Sequence, residues 1–143
     1  MPDVLTIVST GNKYFNECKT GKRVPESITL GLYVNSVAVT IDTVMANLTP
    51  VSTHGLTTKV LASASWSAAA INATLQAFST YAAQAFTATS ADSGVATSIY
   101  GYYAKSTTSG LLLWAVSFAT AKVITYANES ITIVPEMRDS QKV

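Results

Sequence analysis

Between Ser98 and Val134 the alternation of apolar and polar positions predicts a set of strands. In the run Leu111–Phe118, residues Leu112, Trp114, Val116 and Phe118 recur at every second position, which places all of them on one strand face. Upstream, Ile99–Ala104 is aromatic and β-prone, and Gly101 within it marks a close backbone approach or a kink. The intervening Lys105–Gly110 is small, polar and closes on glycine, as a hairpin loop does. Asn128-Glu129 then turns the chain into Ile131 and Ile133, again at period two.

The same reading applies to the earlier chain. Asp3 to Thr20 reads as a helix, because Val4, Leu5, Ile7, Val8, Tyr14, Phe15 and Cys18 follow helical spacing and Gly21 supplies a stop. Gly11 within it is a cost of about 1 kcal/mol relative to alanine. The apolar stripe of this helix suits docking on the domain's own sheet, ahead of a partner. After the Val24-Pro25 break, Ile28, Leu30, Leu32 and Val34 alternate with Thr29, Gly31 and Tyr33, predicting a half-buried strand. The stretch 37–50 is ambiguous: Val37 and Val39 extend a strand, whereas Ile41, Val44, Met45 and Leu48 fit helical turns. Val51–Gly55 reads as a loop, Thr57–Ala62 as a short strand, and Ala82–Thr89 as a strand preceded by irregular chain. Ala91–Gly94 is a turn, and MRDSQKV after Pro135 is a polar tail or arm. The expected fold is mainly β, an antiparallel β-sandwich or small barrel with one N-terminal helix. It is read as one domain, 1–143, with a helix at 1–21, a β-domain at 28–135 and a tail at 136–143. The expected core residues are Ile28, Leu30, Leu32, Val34, Leu112, Trp114, Val116, Phe118, Ile131 and Ile133.

Composition narrows the classes of function. Charged residues make up 12% of the 143, about half the usual share, so part of the surface is expected to lie against partners. A net charge of +1 gives no electrostatic case for nucleic acid. The first ten residues lack the basic and apolar regions of a signal peptide, and no apolar run reaches the ~18 residues of a membrane span. A single cysteine, Cys18, excludes an internal disulfide.

Candidate chemistry is sparse. Cys18 and the one histidine, His54, are too few for a zinc site, and no calcium-loop or nucleotide-binding motif occurs. His54 reads as a packing or surface residue, and neither it nor Cys18 is expected to be catalytic; no enzyme activity, metal or cofactor is expected. The sequons at Asn47, Asn72 and Asn128 are what chance produces in a Ser- and Thr-rich chain. Tyr100 and Tyr102 are expected on one strand face with Tyr103 on the other; together with Trp114 they suit either a sugar-binding face or cross-strand packing, the latter preferred.

The run IYGYYAKSTTSGLLLWAVSF, followed by ANESITIVPEM, resembles the C-terminal half of small virion proteins of tailed bacteriophages. In that group an IYGYYV strand, a short loop, LLWAERF and NGDTITVTP recur in this order. ITLGLYVN is similar to the group's L-x-L-x-N strand, and TTKVLASASW to its GYAAKTLSAASW segment, so the resemblance spans most of Ile28–Pro135. The chain departs from the pattern at Val116-Ser117, where the group has a charged pair, and at Asn128-Glu129, where it has Asn-Gly-Asp. The resemblance implies a non-enzymatic virion protein, foremost a cement or decoration protein on the capsid surface, assembled in the host cytoplasm and bound to the major capsid protein. A neck or tail component and a carbohydrate-binding sandwich are the alternatives. Lattice symmetry favours a homo-oligomer, a trimer first, and neither nucleic acid nor membrane is an expected partner. Tyr100, Tyr102, Tyr103, Met137 and Arg138 are the candidate partner contacts.

Overall fold

The computed structural model describes residues 3–71 and 77–138. In chain order they form β1 (Val4–Ile7), α1 (Ser9–Lys19), β2 (Ile28–Tyr33), β3 (Lys59–Leu61), β4 (Ala70–Ile71) and β5 (Ala77–Thr80). There follow β6 (Gln84–Thr87), β7 (Thr97–Ser106), β8 (Leu112–Ile124), β9 (Ser130–Ile133) and β10 (Glu136–Arg138). The main sheet has the order β1-β8-β7-β2-β3, flanked by a β10-β5-β4 sheet and a β6-β9 pair. All pairings are antiparallel. Among the described residues the fold is mainly β with one α-helix, in keeping with a β-sandwich or small barrel.

The N-terminal segment departs from the expected helix. Val4–Ile7 is a strand paired with β8, and the helix starts only at Ser9, after an extended Val8. β-branched Val4, Thr6 and Ile7 suit a strand edge, and the open side of β8 supplies their hydrogen-bond partners. Ala77–Thr80, expected to be irregular, is strand β5, and the first part of the expected tail is strand β10, which pairs with β5. Residues 139–143 of the expected tail and Asn72 lie outside the described residues. The ambiguous 37–50 stretch is neither strand nor α-helix but a loop with one 3-10 turn, Met45–Asn47.

β2 is buried along its whole length, not half-buried as the alternation predicts. Its first face, with Ile28, Leu30 and Leu32, joins a large core with Tyr102, Trp114, Val116, Phe86, Ile131 and Ile133; Val34 and Phe118 pack against it half-buried. Its other face carries Tyr33, which packs with Val8, Leu48, Tyr103, Leu112 and Ala115 under the 37–48 loop. The loop does the work of a second sheet on that side.

Two bulges change which side chains share a face. The β7–β8 register passes from Ala104↔Trp114 to Lys105↔Leu112, leaving Leu113 as an extra residue. Leu113 therefore enters the large core beside Trp114, and Leu112 is turned into the second cluster, away from Trp114 and Val116. A second shift, between Ile99 and Gly101, turns Tyr100 to the face of Tyr103 instead of that of Tyr102. Period two predicts a face only while the ladder is unbroken.

The bulge also explains Gly11. Any Cβ there would overlap the carbonyl of Leu113, so α1 rests directly on the β8 backbone. The Val8 N–H donates to that carbonyl at 3.2 Å, and Thr10 Oγ1 donates to the Leu112 carbonyl at 2.5 Å. The other end of the helix is tied by Arg23, whose Nε lies 2.7 Å from Glu17 Oε2 and whose guanidinium sits over the Tyr14 ring. The Tyr14 hydroxyl accepts the Glu26 N–H at 2.7 Å, and the Glu26 carboxylate accepts from Ser106 at the end of β7.

Two stability outcomes follow. Gly11→Ala, a change that adds ~0.5–1 kcal/mol in an open helix, is expected here to cost roughly 1–3 kcal/mol in chemical denaturation. Trp114 is fully buried against Phe15 and Trp66, with an indole N–H that has no partner among the described residues. Trp114→Ala is expected to cost roughly 3–5 kcal/mol and Trp114→Phe clearly less, because phenylalanine removes the orphaned donor while keeping a ring. A Trp114→Ala loss under about 1 kcal/mol would show that the ring is not core.

Candidate functional site

On α1, Asn12, Phe15, Asn16 and Lys19 fall on one helical face by their spacing, and that face looks toward β5 and β10. Between them lies a groove of about 510 Å³. Ile7, Phe15, Phe78 and Met137 give it an apolar lining, with Asn16 and Arg138 among the polar groups. Cys18, half-buried, also lines it. The Arg138 guanidinium is held by Glu136 at 2.5 Å, which pushes its pKa further up. Two of the five expected contact residues, Met137 and Arg138, thus come together in this groove. The sequence signal that would have found it is the apolar Met137 inside a polar stretch.

The tyrosines do not join them at the surface. Tyr102 and Tyr103 are buried, and Tyr100 is half-buried against the second cluster. Trp114 is also inside. These side chains are core, and the aromatic sugar-stacking face is not formed by them. Burial of Tyr102, then the negative charges of Asp3 and Glu136, push its pKa up to about 12, with Arg138 opposing. Burial raises Tyr103, Tyr33 and Tyr14 as well.

His54, expected to be a packing or surface residue, is fully buried. Its ring lies between two backbone carbonyls of the segment that precedes β7. Among the described residues no group of three or more His, Cys, Asp or Glu side chains converges in a way that could hold a metal ion. No helix among them is long and apolar enough to cross a membrane.

The most uncommon surface property is charge. From Val60 to Ala91 the chain has no Asp, Glu, Lys, Arg or His. The described part of this run includes the last two residues of β3 and all of β4, β5 and β6, and it leaves Val60 and Ile71 strongly exposed, at 61% and 73%. Among the described residues β4 is an edge strand of its sheet, paired with β5. An uncharged surface with an open edge lacks the usual guards against strand pairing and is suited to contact with another protein.

No family model, no curated protein and no solved structure matches this chain.

The tyrosine environments fix a sign for alkaline stability. A phenol whose pKa is raised by folding contributes stability that is fully present below pH ~10 and is lost as pH rises toward the folded value. For Tyr102 the window is pH 10 to about 12. Tyr102→Phe is expected to flatten the fall in stability over that window, measured by denaturant midpoints at successive pH values. An unchanged slope would show that Tyr102 is exposed to solvent.

Proposed function

We propose that this protein is a structural virion component of a tailed bacteriophage, a cement or decoration protein that binds and stabilises the lattice of the major capsid protein. The observation that carries the reading is the ordered run of motifs shared with small virion proteins. The segments ITLGLYVN, TTKVL, IYGYY and LLLWAVSF supply β2, β3, β7 and β8, which are consecutive neighbours in the main sheet. The resemblance thus follows one packed unit of the fold and is not scattered over its loops. The uncharged surface between Val60 and Ala91 supports the binding half of the proposal, since it offers shape and backbone hydrogen bonds in place of charge. A protein that works at a lattice meets several neighbouring subunits at once, so weak contacts add through effective concentration. Trimers at three-fold positions are the favoured arrangement.

Sedimentation with empty capsids tests this. The protein is expected to pellet with assembled capsids and to stay in solution with free capsid subunits, and virions lacking it are expected to lose genome at lower temperature. Ile71→Asp places a charge in the uncharged surface and is expected to reduce capsid binding at least tenfold while leaving the melting temperature unchanged. If the protein does not co-sediment and its removal leaves head stability the same, a neck or tail position or glycan binding replaces the cement role.

A further inference from the structure

The groove between α1 and the β5–β10 pair has walls of different character. The helix wall carries Asn12 and Asn16, four residues apart on one face and both exposed. The Asn12 N–H donates to the Val8 carbonyl, and the Asn16 carbonyl accepts the Thr20 N–H. Among the described residues neither side-chain amide has a hydrogen-bond partner. On the facing wall, Ala77, Phe78 and Ser79 of β5 belong to the uncharged run 60–91. Ile7, Phe15 and Met137 complete the apolar lining. The volume, about 510 Å³, is that of a site for a small ligand or a short stretch of chain.

A primary amide both donates and accepts, so it pairs with the N–H and the C=O of a peptide backbone. Residues four apart on a helix are separated by a rise of about 6 Å, and alternate residues of an extended chain by about 6.6 Å. The two asparagines therefore match successive same-side backbone groups of an extended chain laid along α1. Side chains of such a chain alternate, so every second one meets the apolar lining. Charge supplies the third requirement. Lys19 and Arg138 line the groove, and among the described residues no carboxylate does. Glu136 holds Arg138 through Nε, which leaves both Nη groups without a partner among the described residues. A second carboxylate accepts from that free side of the guanidinium in charge-assisted bonds.

We propose that this groove binds a short extended segment of a partner polypeptide, with apolar residues at alternate positions and one carboxylate. The amides of Asn12 and Asn16 hold its backbone, the apolar lining takes its alternate side chains, and Arg138 takes the carboxylate. The segment belongs to the major capsid protein, and that source alone rests on the virion reading. Binding of this kind adds a sequence-selective contact to the uncharged surface that forms one wall of the groove.

The probes are pools of acetylated, amidated hexapeptides with Leu, Val or Phe at alternate positions and one fixed Glu, Gln or Lys. Retention by the full-length chain is read by ultrafiltration and mass spectrometry. The Glu pool is expected to be retained about tenfold over the Lys pool. Arg138→Gln is expected to erase the preference for Glu over Gln. The double variant Asn12→Ala, Asn16→Ala is expected to lower retention of every pool about tenfold and to keep their order. No retention by the native chain, or equal retention of the Glu and Lys pools, would overturn the proposal, and both readings stand whatever the variants do. Retention that appears only after deletion of residues 139–143 would make the chain's own end the occupant. Self-association that Arg138→Gln abolishes would make it a second copy, and either result overturns the proposal. Capsid sedimentation separates this proposal from the virion reading. Capsids bound equally by the native chain and the double variant refute the groove contact alone. Peptide retention without capsid binding refutes the capsid as source and leaves the groove as a peptide site.

Discussion

The fold depends on a reciprocal exchange of glycine and tyrosine between β2 and β7. In their antiparallel register Gly31 lies opposite Tyr103, and Tyr33 lies opposite Gly101. A Cβ on Gly31 would overlap the Tyr103 ring, and one on Gly101 would overlap the Tyr33 ring and the Val116 carbonyl. Each ring therefore occupies the space that the glycine across from it leaves empty. Cross-strand pairs of this kind recover the packing a strand glycine forfeits. The Tyr33 hydroxyl then reaches over the next strand to Ser117 Oγ at 3.1 Å, linking β2 to β8 through a side chain. With both rings held against the sheet, the second face is filled by Val8, Leu48, Leu112 and Ala115 and closed by a loop. A bulky residue at position 31 or 101 would disrupt both the ladder and the cluster above it.

The sequence made that core legible where the ladder is regular. The alternation in Ile28, Leu30 and Leu32 and in Ile131 and Ile133 corresponds to buried faces, and the antiparallel mainly β class follows from it. The Gly101 signal was visible too, as a close approach; its partner at Gly31 carries the same meaning. The misassigned faces, those of Leu112 and Tyr100, sit beside the bulges at Leu113 and near Ile99. A bulge adds a residue without a compositional mark, so period-two reasoning continues past it one step out of phase. The N-terminal error has a different origin. Four residues of strand contain apolar positions that also satisfy helical spacing, and the open edge of β8 decides between the two.

The candidate site was less legible than the fold for a physical reason. The groove between α1 and the β5–β10 pair is made by elements far apart in sequence, and its lining residues are ordinary apolar and amide side chains. No motif attaches to such a surface. The tyrosines attracted attention because aromatic clusters suit recognition, yet in this chain they serve the sheet that holds β7 between its neighbours. Uncharged length is the more telling feature, and it is a property of a whole stretch, not of a spaced set of residues.

The molecule divides into a packed main sheet and a stretch of uncharged chain beside it. The main sheet joins β7 and β8 over long strands, so it is the part in which opening is most costly. The His54 clasp sits at its margin, where a few hydrogen bonds hold two left-handed segments together. The uncharged run ends at Ala91, one residue before Asp92 of that clasp. The His54 contacts therefore tie down the chain directly adjoining the surface proposed to meet the capsid, while the reciprocal glycine–tyrosine pairs hold the sheet itself. An arrangement of this kind keeps the proposed contact surface apart from the packed core, and the boundary between the two is the start of β7.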